Sequence, residues 1–204
     1  MATSRAPAVF VADAPALDFL NSIATPTSTP IDWIDDGEGL LAWLDQAHLV
    51  PPQEIKRLRA RAMPGEFDTV AAQARALREW FRSFVRERMG RSLVAADLGA
   101  LAPLNRLLGR DEVFSQIVAH AQGDAMRLQP TRRWRSPESL LLPIGEALAR
   151  LVCEEDFANI KACEGHYCTL LFADHTRGRA RKWCSMGICG NRAKQAAHRH
   201  RHTQ

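Results

Sequence analysis

Four cysteines near the C-terminus constrain this chain more than any other sequence feature. They follow the pattern Cys-x4-Cys-x15-Cys-x4-Cys and are Cys163, Cys168, Cys184 and Cys189. Two closely spaced pairs separated by a loop are typical of a tetrahedral thiolate site for Zn²⁺. Because four thiolates leave no coordination position open to water, we predict a structural ion and not a hydrolytic one. Its binding would supply folding energy to a module too small for its own core.

Other groups near this pattern leave alternatives open. A disulfide pair or unligated thiols would use the same cysteines, and His166 or His175 could replace one sulfur. The fifth cysteine, Cys153, lies in an apolar segment, and we interpret it as a small buried hydrophobe. Trp183, which precedes a predicted ligand, is predicted to be core and not a base-stacking platform.

Positive charge is concentrated in the same part of the chain. Residues 161–204 hold nine Lys and Arg against two acids, whereas the other 160 residues hold 18 basic and 21 acidic side chains. A cationic end favours a polyanion as its partner, and we predict DNA. The candidate contacts are Arg177, Arg179, Arg181, Lys182, Asn191, Arg192, Lys194, Gln195, His198 and Arg199.

The segment after the last cysteine is predicted to present these groups from a helix. Residues 190–199 are alanine-rich and lack proline. Asn191, Lys194 or Gln195, and His198 would then share one face. Asn and Gln suit adenine edges, whereas Arg and Lys suit guanine or phosphate. The alternatives are that Asn191 and its neighbour orient the zinc loop, or that the basic helix is only a solvated surface.

Hydrophobic periodicity predicts a mostly helical domain over residues 1–157 ahead of a zinc module at 158–204. Its clearest helix spans 66–89, with apolar side chains on one side and Arg75, Arg78, Arg82 and Arg86 on another. Helices are also expected over 39–49, 53–62 and 97–107, and over 136–152, where Pro143 should kink or delay the helix.

Two β elements are expected in the same domain: a short strand over 9–11 and a hairpin formed by 113–121 and 125–134. The predicted fold class is therefore α+β, mostly helical, with a small hairpin or sheet and a small C-terminal four-cysteine zinc-finger module of treble-like form.

The N-terminal domain carries no recognisable catalytic set, so we predict no enzyme. Its polar residues Asp18, Asn21, Trp33, Arg75 and Arg78 could line a pocket for a small-molecule effector, with a carboxylate and a guanidinium orienting the ligand. The alternative is a buried helix-capping network beside a solvated arginine face.

The compartment and the partners are expected from what the sequence lacks. No apolar run approaches the roughly 20 residues of a membrane helix, and residues 1–12 are too weakly apolar for a secretory signal. We therefore expect a cytoplasmic protein without a membrane partner, in which paired cysteines are more often metal ligands than disulfides. Since DNA regulators commonly dimerise, a homodimer is a further expectation.

The cysteine segment resembles a known family. Residues 189–192 spell CGNR, residues 181–186 (RKWCSM) precede them, and residues 171–174 (LFAD) lie between the cysteine pairs. Over roughly residues 159–201 the chain resembles the CGNR zinc-finger family.

The N-terminal domain resembles the ABATE domain that is usually found ahead of that finger. The resemblance rests on residues 17–22 (LDFLNS), with Leu20 and Ser22 where the family more usually has valine and threonine. It implies a bacterial stress-induced transcription regulator that binds DNA through the finger. The competing hypothesis is a zinc-stabilised module that binds an acidic protein or RNA.

Overall fold

The computed structural model describes residues 7–25, 29–120 and 125–202, with the side chains of residues 197–202 outside that description. Helices dominate this part of the chain. They are α1 (Pro15–Leu20), α2 (Gly37–Gln46), α3 (Pro52–Arg59), α4 (Glu66–Arg88), α5 (Ala102–Leu108), α6 (Leu141–Glu154) and α7 (Asn191–His202). The helix predicted over 97–107 is a 3-10 segment, Ala95–Leu101, that continues into α5.

The strands form three small antiparallel sheets. They pair β1 (Ile23–Ala24) with β2 (Ile31–Asp32), β3 (Val113–Ala119) with β4 (Met126–Arg132), and β5 (Ile160–Ala162) with β6 (Leu171–Ala173). The predicted α+β class and the predicted hairpin are confirmed, although its turn residues 122–124 lie outside the described residues.

The strand predicted over residues 9–11 is wrong, because these residues are not paired as a strand. The N–H groups of Val11 and Ala12 donate instead to Oδ1 of Asp18, each at 3.0 Å. A side chain thus takes the place that a neighbouring strand would fill.

Helix α4 forms the centre of the N-terminal domain. Val70, Ala74, Phe81 and Val85 recur at helical spacing and are buried, as the periodicity predicts. The predicted arginine face is only partly solvated, because Arg78 is 2% exposed and Arg82 is also buried, whereas Arg86 is exposed.

Partners on other elements explain the burial of these arginines. Arg78 makes a bidentate ion pair with Asp32, with both N–O distances at 2.8 Å, and donates to the Ser22 hydroxyl at 3.0 Å. Burial raises the pKa of Asp32, but the Arg78 guanidinium outweighs it and lowers that pKa below its usual value. Arg82 donates to the Leu20 carbonyl. Buried cations are tolerated where such partners exist.

The arrangement of α6 confirms one prediction and corrects another. A 3-10 turn over Pro137–Leu140 precedes the helix, which begins only at Leu141, so Pro143 lies in its first turn and delays its start. Cys153, which we predicted to be buried, is exposed. It lies two residues after the buried Leu151 and therefore points to the opposite side of the helix.

A single hydrophobic core joins the N-terminal helices to the cysteine-containing segment. Leu17 and Phe19 of α1 are fully buried in the same cluster as Leu170 and Phe172, which come from β6 and the residue before it. In the described ranges, no helix has the length and apolar character needed to cross a bilayer.

Candidate metal centre and nucleic-acid interface

The fold brings the four predicted cysteine ligands into one cluster. Their sulfur atoms all lie within 4.8 Å of one another. Sγ of Cys184 is 3.9 Å from that of Cys168 and 3.7 Å from that of Cys189. A tetrahedral site with Zn–S bonds of about 2.3 Å requires sulfur–sulfur edges of about 3.8 Å. The donor set therefore fits a zinc ion in both chemistry and spacing.

Neither nearby histidine belongs to this cluster. His175 Nε2 lies 2.6 Å from a carboxylate oxygen of Glu155. The His166 ring packs edge-on against Tyr167, with 4.3 Å between ring centroids. These contacts favour the four-cysteine set over a set that contains an imidazole.

Local backbone contacts place each cysteine pair. The Cys163 N–H donates to the Leu170 carbonyl at 2.9 Å, which extends the β5–β6 pairing, and the Cys168 N–H closes a turn onto Gly165 at 2.9 Å. The Cys184 N–H donates to Cys163 Sγ at 3.2 Å, which links the two pairs directly. Such N–H···S contacts stabilise thiolate charge at a metal site.

Gly165 provides the space that the cluster needs. A Cβ at this position would lie 2.8 Å from Sγ of Cys189 and 3.1 Å from Cβ of Cys168. Both distances are shorter than a van der Waals contact allows. Any side chain here would push a sulfur away from the others.

The protonation of the cysteines shows what a cation would contribute. A hydrogen bond from Cys184 lowers the pKa of Cys168 to about 5, whereas the same hydrogen bond and burial raise that of Cys184 above its usual range. Burial raises the pKa of Cys189 to about 12. A bound Zn²⁺ would supply the positive charge that ionises Cys184 and Cys189, whose pKa values are raised in its absence.

The last cysteine is coupled directly to the C-terminal helix. Cys189 lies in a π-helical turn, Met186–Gly190, which runs without a break into α7. Ser185 caps this turn by accepting the Ile188 N–H at 2.9 Å. The position of Cys189 therefore sets the direction of α7.

The side chain of Arg192 is exposed, but its guanidinium contacts the loop that carries Cys189. Its Nε donates to the Ile188 carbonyl at 2.7 Å, and its Nη2 lies 3.6 Å from Sγ of Cys189. A guanidinium at this position stabilises negative charge on the sulfur. These contacts fit the alternative in which Arg192 orients the zinc loop, while Asn191 remains exposed at the start of α7.

Helix α7 confirms the predicted C-terminal helix. Asn191, Lys194 and Gln195 are exposed, and Ala193 and Ala196 are half-buried. The backbone at His198 and Arg199 belongs to the helix, but their side chains lie outside the described residues. The described polar groups thus occupy one accessible side of the helix.

The second basic cluster, residues 177–182, contains side chains that are exposed and side chains that are bonded within the protein. Arg177 is exposed, and Lys182 is exposed with its Nζ 3.3 Å from a Glu164 carboxylate oxygen. The Arg179 guanidinium donates to the Asp174 carbonyl. Arg181 donates to the carbonyls of four residues, Val11, Ala173, Trp183 and Cys184, and pairs with Asp13. Arg181 is therefore a structural cation.

Family comparisons agree with this geometry. A family model named ABATE and described as "Putative stress-induced transcription regulator" matches residues 13–155, and the model of the CGNR zinc finger matches residues 159–202. The chain belongs to the ABATE family. No curated protein matches it. The two matched families describe a regulator and a metal-binding finger, not an enzyme, so the chain is a regulator-like protein with a CGNR finger.

The ABATE residues that we predicted to line a pocket are bonded within the protein. Arg75 donates to the carbonyls of Ile34 and Asp35 at 2.9 and 2.7 Å, and Trp33 is buried. Together with the ion pair of Arg78, these contacts fit the buried network of the structural alternative better than a ligand pocket, although Arg78 and Arg82 belong to that network and not to a solvated face. The charged groups serve the packing of α4 against β2.

The motif at residues 17–22 joins the ABATE domain to the finger. Asn21 Nδ2 donates to the Leu171 carbonyl at 2.8 Å, and Oδ1 accepts the Leu171 N–H at 2.9 Å. Both atoms of a buried amide thus bind one residue of β6. Sequence reasoning missed this junction, because nothing in the sequence connects positions that are 150 residues apart.

The N-terminal segment completes the same junction. Residues 11–13 lie between α1 and the finger: the Ala173 N–H donates to the Ala12 carbonyl at 2.9 Å, and Arg181 reaches Val11 and Asp13. Arg181 also bonds the Cys184 carbonyl. One arginine therefore connects the metal loop to the ABATE domain.

Proposed function

We propose that this ABATE protein is a transcription regulator whose CGNR finger binds one Zn²⁺ through its four cysteines and contacts DNA with α7. The observation that carries the proposal is the direct continuation of the Cys189 turn into an exposed polar helix. The ion would supply folding energy and a fixed helix direction, with no catalytic step. Four reduced thiols also suit the cytoplasm, where we place the protein.

The exposed side of α7 supports base contacts. Asn191 and Gln195 are one helical turn apart and carry amides that suit adenine edges in a major groove. Lys194 suits phosphate, as do Arg177 and Lys182 from the loop before the third cysteine. Arg181 is left out of the proposed surface because its guanidinium is bonded within the protein.

The ABATE domain, in this proposal, senses a small-molecule effector or holds two copies together. A change in the ABATE domain would reach the finger through the contacts of Asn21 and Arg181, because Asn21 binds β6 and Arg181 binds the loop at Cys184. An effector that shifts α1 would then shift the finger as well.

The test is selection of duplex DNA from a random pool by the full chain, with and without a chelator. We expect a preferred sequence that is lost on chelation, and weaker binding for Lys194→Glu. Lys56→Glu makes the same charge change at an exposed site on α3 and is the matched control. Equal affinity of both variants, or selection that survives removal of all zinc, would count against the proposal.

A surface beside α7 favours a second candidate, binding of single-stranded RNA. Tyr167 is exposed and packs on His166, and both line a trough of about 530 Å³ with Trp183 and Ala196. Exposed aromatic rings, here with Arg192 beside them, are groups on which unpaired bases can stack. Competition between duplex DNA, single-stranded RNA and an acidic peptide separates the candidates, and Tyr167→Ala should weaken only the RNA complex.

A further inference from the structure

The β3–β4 hairpin exposes an apolar face that no other described part of the chain covers. Its register places Ile117 opposite Leu128 and Ala119 opposite Met126, on the same side of the hairpin as Val113. Val113, Ile117, Leu128 and Met126 are 57%, 68%, 68% and 79% exposed. A contiguous apolar cluster that is exposed to solvent marks an interaction site.

The hairpin also lacks a third strand. Within the described ranges, β3 and β4 pair only with each other. An isolated two-stranded hairpin is marginally stable in water and gains stability when one face packs on another layer. The base of this hairpin is anchored by Arg132, which pairs with Asp111 at 2.6 Å and with Glu146 at 2.8 Å. The apolar face beyond this anchor is therefore held in place, and none of the described residues packs over it.

The charge of the face selects the kind of partner. Apart from Arg132, whose charge is already paired, the described residues on this side are uncharged: Val113, Ser115, Ile117, Ala119, Met126, Leu128 and Pro130. An acidic or basic partner would find no complementary charge here. A second copy of the same uncharged face matches it in character, and a two-fold axis would bring the two copies of the face together.

The area is enough for a reversible dimer. A large aliphatic side chain of this kind exposes roughly 60–120 Å² of apolar surface. The four large side chains with their neighbours therefore offer roughly 500 Å² per copy. Two copies would bury about 1,000 Å² in total, which is the lower limit for a specific interface.

We propose that this face is a homodimer interface, in which the β3–β4 hairpins of two copies pack face to face. The dimer would carry two CGNR fingers and so could span two DNA half-sites. This inference extends the proposed function, and its test uses no DNA, so the two proposals can fail separately.

Sedimentation of the full zinc-loaded chain between about 1 and 100 µM tests the proposal. We expect a monomer–dimer equilibrium with a micromolar Kd, because interfaces at the low end of the size range belong to weak, transient complexes. Ile117→Lys places a charge at the centre of the face and should raise the Kd at least about tenfold, which is about 1.4 kcal/mol. Gln116→Lys adds the same charge to the same strand but on the opposite side, and should leave the Kd unchanged.

A third variant distinguishes loss of the dimer interface from unfolding of the hairpin itself. Ile117→Thr keeps the β-branched shape that strands favour while removing apolar surface, so its Kd should lie between those of the wild type and Ile117→Lys. A wild-type chain that stays monomeric throughout would overturn the proposal. So would a dimer that tolerates Ile117→Lys, or one that Gln116→Lys dissociates equally well.

Discussion

Replacing Asp18 by Asn should stabilise the protein, and should do so more at high pH than at low pH. Asp18 is buried beneath residues 11 and 12, and burial raises its pKa to about 6 despite the two backbone N–H groups that it accepts. Both donate to the same oxygen, Oδ1, at 3.0 Å. An Asn side chain keeps that acceptor and removes the buried charge, so the substitution preserves the local geometry.

The size of this stabilisation follows from the difference between the pKa of Asp18 in the folded and in the unfolded protein. An unfolded aspartate titrates near 3.8, so the folded state holds its proton to a higher pH than the unfolded state does. The unfolded chain therefore binds fewer protons between about pH 4 and pH 6, and the free energy of unfolding falls as the pH rises through that window. Compared with a side chain that stays neutral, Asp18 lowers the free energy of unfolding by about 1.5 kcal/mol at pH 5 and by about 3 kcal/mol at pH 8.

Urea unfolding of both proteins at pH 5 and pH 8, with zinc present throughout, measures this difference. The advantage of Asp18→Asn should grow by about 1.5 kcal/mol between the two pH values. Asp45→Asn removes an exposed carboxylate on α2 and is the matched control. An Asp18→Asn protein that is less stable than the wild type at pH 8, or an advantage that is constant with pH, would refute the argument.

Three further outcomes are expected. Gly165→Ala should weaken zinc affinity in a chelator competition, because the added Cβ would meet Cys189 Sγ at 2.8 Å, whereas Gly178→Ala has no atom within 4 Å and should have no effect. Asn21→Ala leaves both backbone groups of Leu171 unpaired and should lower the free energy of unfolding by about 2 kcal/mol or more in urea titrations. If Arg177, Lys182 and Lys194 of the proposed surface neutralise phosphates, a fluorescence titration should give a slope of log affinity against log salt of about −3, and a slope near zero would contradict a DNA role.

Local patterns predicted the parts of the molecule that local forces determine. The apolar period of α4 and the alanine-rich composition of α7 favour helices by themselves. The cysteine spacing likewise predicted the cluster, because two short loops can meet around an ion without help from the remaining chain.

The errors concern residues whose partners are distant in sequence. Arg78 is buried with partners that include Asp32, which lies 46 positions away in the sequence. The segment 9–11 has the composition of a strand, but the N–H groups of Val11 and the following Ala12 donate to the Asp18 side chain. Arg181 belongs to a cationic run and yet is bonded to the N-terminal segment. Helical or strand period carries no information about such contacts.

The continuity of the core across Leu17 and Phe172 has a consequence for how the two halves can work. Both side chains have no exposed surface, so cutting the chain between the halves would uncover apolar surface on each fragment. A CGNR finger transplanted from a related protein would need an apolar surface that is complementary to α1. The finger is thus packed firmly against the ABATE domain. If the proposed regulation holds, an effector would act on the finger by deforming this shared core and not through a hinge motion.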